Sequence, residues 1–191
     1  MADQFTILTI CTGNICRSPA MERLLAHHFA DDAVRVLGAG VFAHVGEEMK
    51  EPMRRRVDAY GADAEGTAGD QVDAALIGES DLILTATRDH RRELLRHAPD
   101  AGARIFTLRE AARLLDGLGE DDLEQSVGPE ARPPERLAFL TQRLDDLRAS
   151  ARSGGSDDDI LDPYMMGEDA YDESFEQLRG PIEALVRAVR G

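Results

Sequence analysis

The sequence predicts an α/β fold, a doubly wound sheet of four parallel strands with helices on both faces. Three observations carry this. Short apolar, β-branched runs at residues 5–10, 33–37, 81–86 and 103–107 alternate with stretches whose apolar residues recur at helical spacing. Helix-punctuating residues stand at the ends of those stretches: Ser18-Pro19, Gly61 and Pro99. Strands alternating with helices imply parallel pairing through right-handed crossovers. A chain of 191 residues with 42% apolar content suits one such domain over residues 1–191.

The elements follow in order. Phe5 to Ile10 is an unbroken apolar run, the pattern of a strand buried on both faces. Met21, Leu24, Leu25, His28 and Phe29 then fall on one helical face, with Ser18 suited to the N-cap and Pro19 to the first helical position. Ala33 to Leu37 is the second strand, followed by the loop GAGVFAHVGEE. Pro52 to Tyr60 reads as a helix stopped by Gly61, and Gln71 to Ile77 as a weak one. DLILTA at 81–86 is the third strand, Arg88 to His97 a helix ended by Pro99, Ala103 to Thr107 the fourth strand, and Glu110 to Leu115 a further helix.

Residues 116–158 break the rhythm. An acidic, Pro/Gly-marked loop precedes a helix over Arg136 to Arg148, with Leu137, Leu140, Leu144 and Leu147 on one side. SGGSDDD reads as a charged, flexible linker. This stretch is expected to be an insertion, too small for a core of its own. Phe175, Leu178, Ile182, Leu185, Val186 and Val189 define a C-terminal helix that Pro181 should kink or restart.

Asp and Glu number 37 against 22 Lys and Arg, for a net charge of -15. Nucleic acid and anionic membranes would repel such a chain. There is no run of about 20 apolar residues to span a bilayer, and MADQFTILTI lacks the basic flank and apolar length of a secretory signal. The expectation is a soluble, cytoplasmic protein with no nucleic-acid or membrane partner. Lys50 is the only lysine, as an Arg-rich genome or a salt-adapted acidic surface would each produce.

Two cysteines, Cys11 and Cys16, are too few for a disulfide framework, and no His has ligand spacing around them. Each is then buried filler or a reactive thiol. Their context is Cys11-Thr12-Gly13-Asn14-Ile15-Cys16-Arg17-Ser18-Pro19, between the first strand and the first helix. In an open α/β sheet ligands bind at the carboxyl ends of strands, and a helix N-terminus is an anion site. Gly13 and Asn14 tolerate positive φ, which lets successive N–H groups of residues 12–18 turn inward as an anion nest. Cys11 at its centre, stabilised as thiolate by those dipoles and by Arg17, would stand behind the phosphorus of a bound phosphoryl group. Arg17 offers a planar fork matching two phosphoryl oxygens. The absence of Gly-Lys-Ser/Thr excludes a Walker loop.

CTGNICRSP resembles the Cys-x5-Arg-Ser signature of the low-molecular-weight protein tyrosine phosphatases. The resemblance implies a phosphomonoester hydrolase acting through a cysteinyl-phosphate, with no cofactor and no metal. It implies Cys11 as nucleophile, Arg17 as clamp, Asn14 as the left-handed residue and Ser18 as a hydroxyl donor to the thiolate, with Thr12, Gly13, Ile15 and Cys16 completing the phosphate cradle. The family's Asp-Pro-aromatic motif is Asp162-Pro163-Tyr164, which alone would read as a turn. The resemblance makes Asp162 the general acid and Tyr164 a pocket wall. Phe42 or His44 could supply a second wall. Gly38-Ala39-Gly40 stands where the family often has Ser-Ala-Gly. Ile15 is of the phosphotyrosine type, since arginine-phosphatase-like relatives carry Thr there. The implied partner is a phosphotyrosine protein or other aryl phosphate.

Two further readings stay open at this stage: an arsenate reductase of the same fold using an external small thiol, and a non-catalytic anion-binding module. Cys16 is also a candidate resolving thiol that would form a disulfide with oxidised Cys11. Arg88, Arg91, Arg92 and Arg96, with His90 and His97, form either a solvated helix face or a docking patch for an acidic phosphoprotein.

Overall fold

The computed structural model describes residues 4–30, 32–118, 122–150 and 158–191. Strand β1 (Phe5–Cys11) is buried along its whole length and lies inside the sheet. It pairs in parallel with β2 (Val34–Gly40) on one side and β3 (Leu82–Thr85) on the other, and β4 (Ile105–Thr107) completes the order β2-β1-β3-β4. The chain therefore winds one way from β1 to β2 and the other way from β3 to β4. The crevice between the carboxyl ends of β1 and β3 is the point where winding reverses, the place where such sheets bind ligands.

Helices cover both faces. On one, α1 (Arg17–His28), α2 (Glu51–Tyr60), α5 (Leu108–Leu115), α7 (Pro133–Ser150) and α8 (Glu168–Arg190) bury Met21, Leu24, Met53, Val57, Leu114, Leu178 and Leu185 against Phe5, Ile7 and Phe106. On the other, α3 (Ala74–Glu79) and α4 (Arg88–His97) place Ile77 and Leu94 against Leu8, Ile10, Ile83 and Ile105. A short 3₁₀ turn over Pro99–Arg104 leads into β4. No helix among the described residues is long and apolar enough to cross a membrane.

Several boundaries differ from the sequence expectation, each for a local reason. Helix α1 begins at Arg17 with Cys16 as its N-cap, so Ser18 and Pro19 sit inside the first turn. The Ser18 hydroxyl is engaged with Cys11, Asn14 and the Ala39 carbonyl instead of capping. Gln71 bridges to Gly40 as extended chain, and α3 starts later because the Asp73 side chain accepts from Leu76 N at 2.8 Å. Helix α5 starts earlier, at a capping box between Thr107 and Glu110. The expected acidic loop contains α6 (Asp122–Val127). Pro181 does not restart the helix: α8 runs through it, and Gly180 before it has no Cβ for the proline ring to press against.

The 116–158 stretch is tied to the main core. Leu137, Leu140 and Leu144 of α7 are buried with residues of α5 and α8. The Arg148 guanidinium stacks 4.3 Å over the Phe106 ring and donates to the Ile105 carbonyl at 2.7 Å. The linker expectation falls largely on residues 151–157, outside the described residues. Its last two residues contradict it, because Asp158 and Asp159 are anchored by ion pairs to Arg113 and Arg88.

Candidate active site

The loop from Cys11 to Arg17 is turned so that its carbonyls face away from its centre. Cys11, Thr12, Gly13 and Ile15 carbonyls accept from the N–H groups of Val41, Phe42, His44 and Lys50 at 2.8–3.0 Å. The N–H groups of residues 12–16 donate to no acceptor among the described residues. Asn14 makes the turn, with φ 53. Its side chain locks the conformation: Oδ1 accepts from Asp70 N at 2.9 Å, and Nδ2 donates to Ser18 Oγ at 2.7 Å. Gly13 was expected to share the positive φ and does not. It is small for another reason: a Cβ there would lie 2.9 Å from His44 Cδ2. Gly40 is likewise constrained, since its Cβ would lie 2.5 Å from the Thr12 carbonyl oxygen. The Gly38-Ala39-Gly40 corner is thus built to lie against the loop.

Cys11 is buried at the end of β1, with Sγ 3.0 Å from Ser18 Oγ. Ser18 already accepts from Asn14, so its single proton goes either to Sγ or to the Ala39 carbonyl, 3.2 Å away. A thiolate takes that proton; a thiol leaves it on Ala39. Arg17 is only 4% exposed. Its Nη1 donates to the Ile160 carbonyl at 3.1 Å and its Nη2 to Asp162 Oδ2 at 2.6 Å, while its Nε is buried without a partner. A buried guanidinium donor left over beside a run of unpartnered loop N–H groups is what an anion would satisfy.

Asp162 reaches the site on a tightly held segment. Asp158 pairs with Arg113 at 3.0 Å, and Asp159 accepts from the backbone and side chain of Arg88. Ile160 N donates to the Ala86 carbonyl at 2.9 Å, and Ser174 Oγ to the Leu161 carbonyl at 2.9 Å. The half-exposed Asp162 carboxylate also accepts from Tyr164 N at 3.2 Å.

His90 is the residue that sequence reasoning misplaced. It was grouped with the basic stretch of α4, yet it is buried beneath the loop. Its Nε2 lies 2.9 Å from Thr12 Oγ1 and its Nδ1 2.8 Å from Thr87 Oγ1. Burial first, and the neighbouring Arg17 second, lower its pKa to about 4, so the ring is neutral at pH 7. Thr87 Oγ1 accepts the His90 backbone N–H, which leaves its own proton for Nδ1. The assignment using each group once puts the ring proton on Nε2, donated to Thr12. Helical N-capping by Thr87 thereby sets the orientation of a loop side chain. The signal available in the sequence was Thr87-x-x-His90 at a strand–helix turn. The docking-patch expectation for the same helix weakens with it, because Arg88, Arg92 and Arg96 pair with Asp159, Asp89 and Glu93.

Cys11, Thr12, Gly13, Ile15, Cys16, Arg17, His44, Asp162 and Tyr164 line a cavity of about 70 Å³. That is room for about two waters, the scale of one oxyanion. The His44 and Tyr164 rings stand 5.8 Å apart at its mouth. Phe42 is not in the lining: its N–H is fixed to the Thr12 carbonyl at 2.9 Å while its ring is 72% exposed. Cys16 Sγ lies 3.8 Å from Tyr171 OH, and burial pushes its pKa up to about 11, leaving it a thiol at neutral pH. A larger cavity of about 810 Å³, lined by Asp81, Arg104, Thr141 and Asp145, lies against α7 and has no cysteine in its lining. Among the described residues no group of three or more His, Cys, Asp or Glu is arranged to hold a metal ion.

Comparison with known proteins gives a consistent result. The family model described as low molecular weight phosphotyrosine protein phosphatase matches residues 6–116. Low molecular weight protein-tyrosine-phosphatase Wzb of Salmonella typhi is 34% identical over 100 residues, which span 52% of this chain and 66% of that protein. The crystal structure of Erwinia amylovora tyrosine phosphatase AmsI superposes with a TM-score of 0.68 at 22% identity, covering 98% of this chain and 94% of that one. The YwlE arginine phosphatase of Geobacillus stearothermophilus superposes with a TM-score of 0.65 at 23% identity, covering 96% and 91%. At these identities the two structures establish the fold alone.

Proposed function

The chain belongs to the low molecular weight phosphotyrosine protein phosphatase family, and from that premise we propose that it hydrolyses phosphotyrosine in proteins through a cysteinyl-phosphate on Cys11. The observation that carries the reading is Cys11 Sγ, 3.0 Å from the Ser18 hydroxyl, at the start of a loop in which the carbonyls of Cys11, Thr12, Gly13 and Ile15 are bonded to residues outside it.

The phosphoryl oxygens occupy the inward N–H groups of residues 12–16, with Arg17 Nε as a further donor. Attack by Cys11 Sγ forms the S–P bond as the P–O bond to the tyrosine breaks. Asp162, entering this step in its protonated form, gives that proton to the departing phenolate. Water then attacks phosphorus, Asp162 takes a proton from it, and Cys11 leaves with the electron pair of the S–P bond while Ser18 donates to its sulfur. The N–H ring and Arg17 are fixed before the substrate arrives, so they stabilise spread transition-state charge without reorganising.

The arginine-phosphatase fold neighbour raises a choice of substrate. Ile15, buried in the pocket lining, supports an aryl phosphate, because its apolar side chain offers no partner to a guanidinium. The test is turnover of p-nitrophenyl phosphate and phosphotyrosine beside phosphoarginine and thiol-dependent arsenate reduction. The reading expects the first two to dominate. Turnover confined to phosphoarginine, or to arsenate, overturns it.

A further inference from the structure

Among the described residues the exposed large apolar side chains are Phe42 at 72%, Val45 at 70%, Tyr164 at 41%, Met165 at 87% and Met166 at 53%. All lie on two loops, residues 41–46 after β2 and 163–167 before α8. These loops meet at the mouth of the site, where the rings of His44 and Tyr164 face each other at 5.8 Å. The other large apolar side chains among the described residues are at least partly covered. Because His44 and Tyr164 also line the cavity, the two loops carrying this exposed apolar surface border it.

The backbone supplies a second, independent observation. Met166 N donates to the Pro163 carbonyl at 2.9 Å, closing a turn with Met165 at its third position. Met165 has φ 62, a conformation that favours Gly or Asn. The fold therefore holds a long apolar side chain in an unfavourable backbone state and projects it into solvent. Strain of this kind concentrates where a segment meets a ligand.

The charges around the patch narrow the ligand. Lys50 is paired with Glu47 at 2.6 Å, and Arg55 and Arg56 with Glu168 at 2.9 and 3.0 Å. The exposed Glu48 and Asp169 add negative charge beside them. Acidic residues next to a phosphotyrosine would meet carboxylates and already-paired cations, whereas apolar residues would meet apolar side chains.

We propose that the 41–46 and 163–167 loops form a two-sided rim that takes aliphatic or aromatic residues immediately flanking the phosphotyrosine of a polypeptide substrate. The inference rests on the phosphotyrosine reading above. Tyr164 and His44 contact the phosphorylated ring, and Val45, Phe42, Met165 and Met166 cover the neighbouring residues on either side. Methionine suits such a surface because its unbranched side chain repacks around different partners.

The experiment compares kcat/KM for two phosphotyrosine pentapeptides, one flanked by leucine on each side and one by aspartate, with p-nitrophenyl phosphate as a substrate that has no flanks. The wild-type protein should prefer the leucine peptide by about tenfold or more. In the double variant Val45→Ser/Met165→Gly that preference should fall to within about twofold, with p-nitrophenyl phosphate turnover and Tm maintained, since Gly relieves the φ at 165. Equal kcat/KM for the two peptides in the wild type overturns the rim while leaving the phosphatase reading intact. Failure to turn over any of the three substrates overturns the reading on which it rests. A concentration-dependent dimer in sedimentation that the double variant abolishes, with peptide preference unchanged, makes the patch a self-association face and also overturns the proposal.

Discussion

Arg17 Nη2 and Asp162 Oδ2 stand 2.6 Å apart, joining residues 145 positions apart in the chain. In the proposed mechanism this pair links the phosphate clamp to the proton donor. Arg17 opens α1 directly after the loop that holds the nucleophile. Asp162 arrives from a segment tethered to α4 and α5 by Arg88 and Arg113. In the proposed mechanism the phosphate clamp and the proton donor share this contact, so the leaving oxygen of a substrate held by Arg17 would lie beside Asp162.

Asp162→Asn removes the proton without removing the side chain's volume. It should slow hydrolysis of phosphotyrosine by about 10²–10⁴-fold. The loss should shrink steadily as the leaving phenol becomes more acidic. Rates measured over a series of substituted phenyl phosphates check this; a loss independent of leaving-group pKa would assign Asp162 to holding the loop rather than to proton transfer.

The His90 contact makes stability depend on pH. Its pKa falls from 6.5 to about 4 on folding, so between those values the unfolded chain binds more protons and stability rises with pH. The contribution of the neutral ring is complete above pH 6.5 and is lost as pH falls toward about 4, reaching on the order of 3 kcal/mol. Urea unfolding at pH 7, 5.5 and 4.5 should show this decline in the wild type and a flatter profile in His90→Gln. Parallel profiles in the two proteins would contradict the assignment.

Much of this was legible in the sequence because it is local. The strand run Phe5 to Ile10 and the Cys11–Pro19 loop each announce themselves in a few consecutive residues, whereas Asp162-Pro163 alone reads as a turn and stood out only beside that loop. Gly13 and Asn14 were both legible as residues that tolerate positive φ, the resemblance singled out Asn14, and Asn14 is the one at φ 53. What was not legible required knowing which elements meet. His90 looked like one more basic residue on an arginine-rich helix until β3 paired with β1 and brought Thr87 under Thr12. Gly13 looked like a conformational glycine until His44 was seen to lie against it. Ser18 looked like a helix cap because capping is a local rule, and the competing bond to Cys11 is not within its turn. Asp158 and Asp159 looked like linker because their partners, Arg113 and Arg88, lie 45 and 71 residues away.

Cys16 bears on oxidation. Once peroxide has converted Cys11 to a sulfenic acid, the Cys16 thiolate would attack its sulfur, displacing hydroxide, which solvent protonates to water, and closing a disulfide. Burial holds Cys16 at a pKa of about 11, so its thiolate is scarce at pH 7 and closure should accelerate by about tenfold per pH unit in the neutral range. Peroxide treatment followed by dithiothreitol should restore activity in the wild type, more completely at pH 8.5 than at pH 6.5. Cys16→Ser should recover poorly at both. Equal recovery in the two proteins would remove Cys16 from any protective role.

The central claim is that Cys11 forms a bond to phosphorus. Rapid acid quench during turnover of p-nitrophenyl phosphate by Asp162→Asn, followed by proteolysis and mass spectrometry, tests it most directly. The account predicts one added phosphoryl group on the peptide carrying Cys11, and neither label nor turnover in Cys11→Ser. Sustained turnover by Cys11→Ser, or a phosphoryl group found on any other residue, would contradict it.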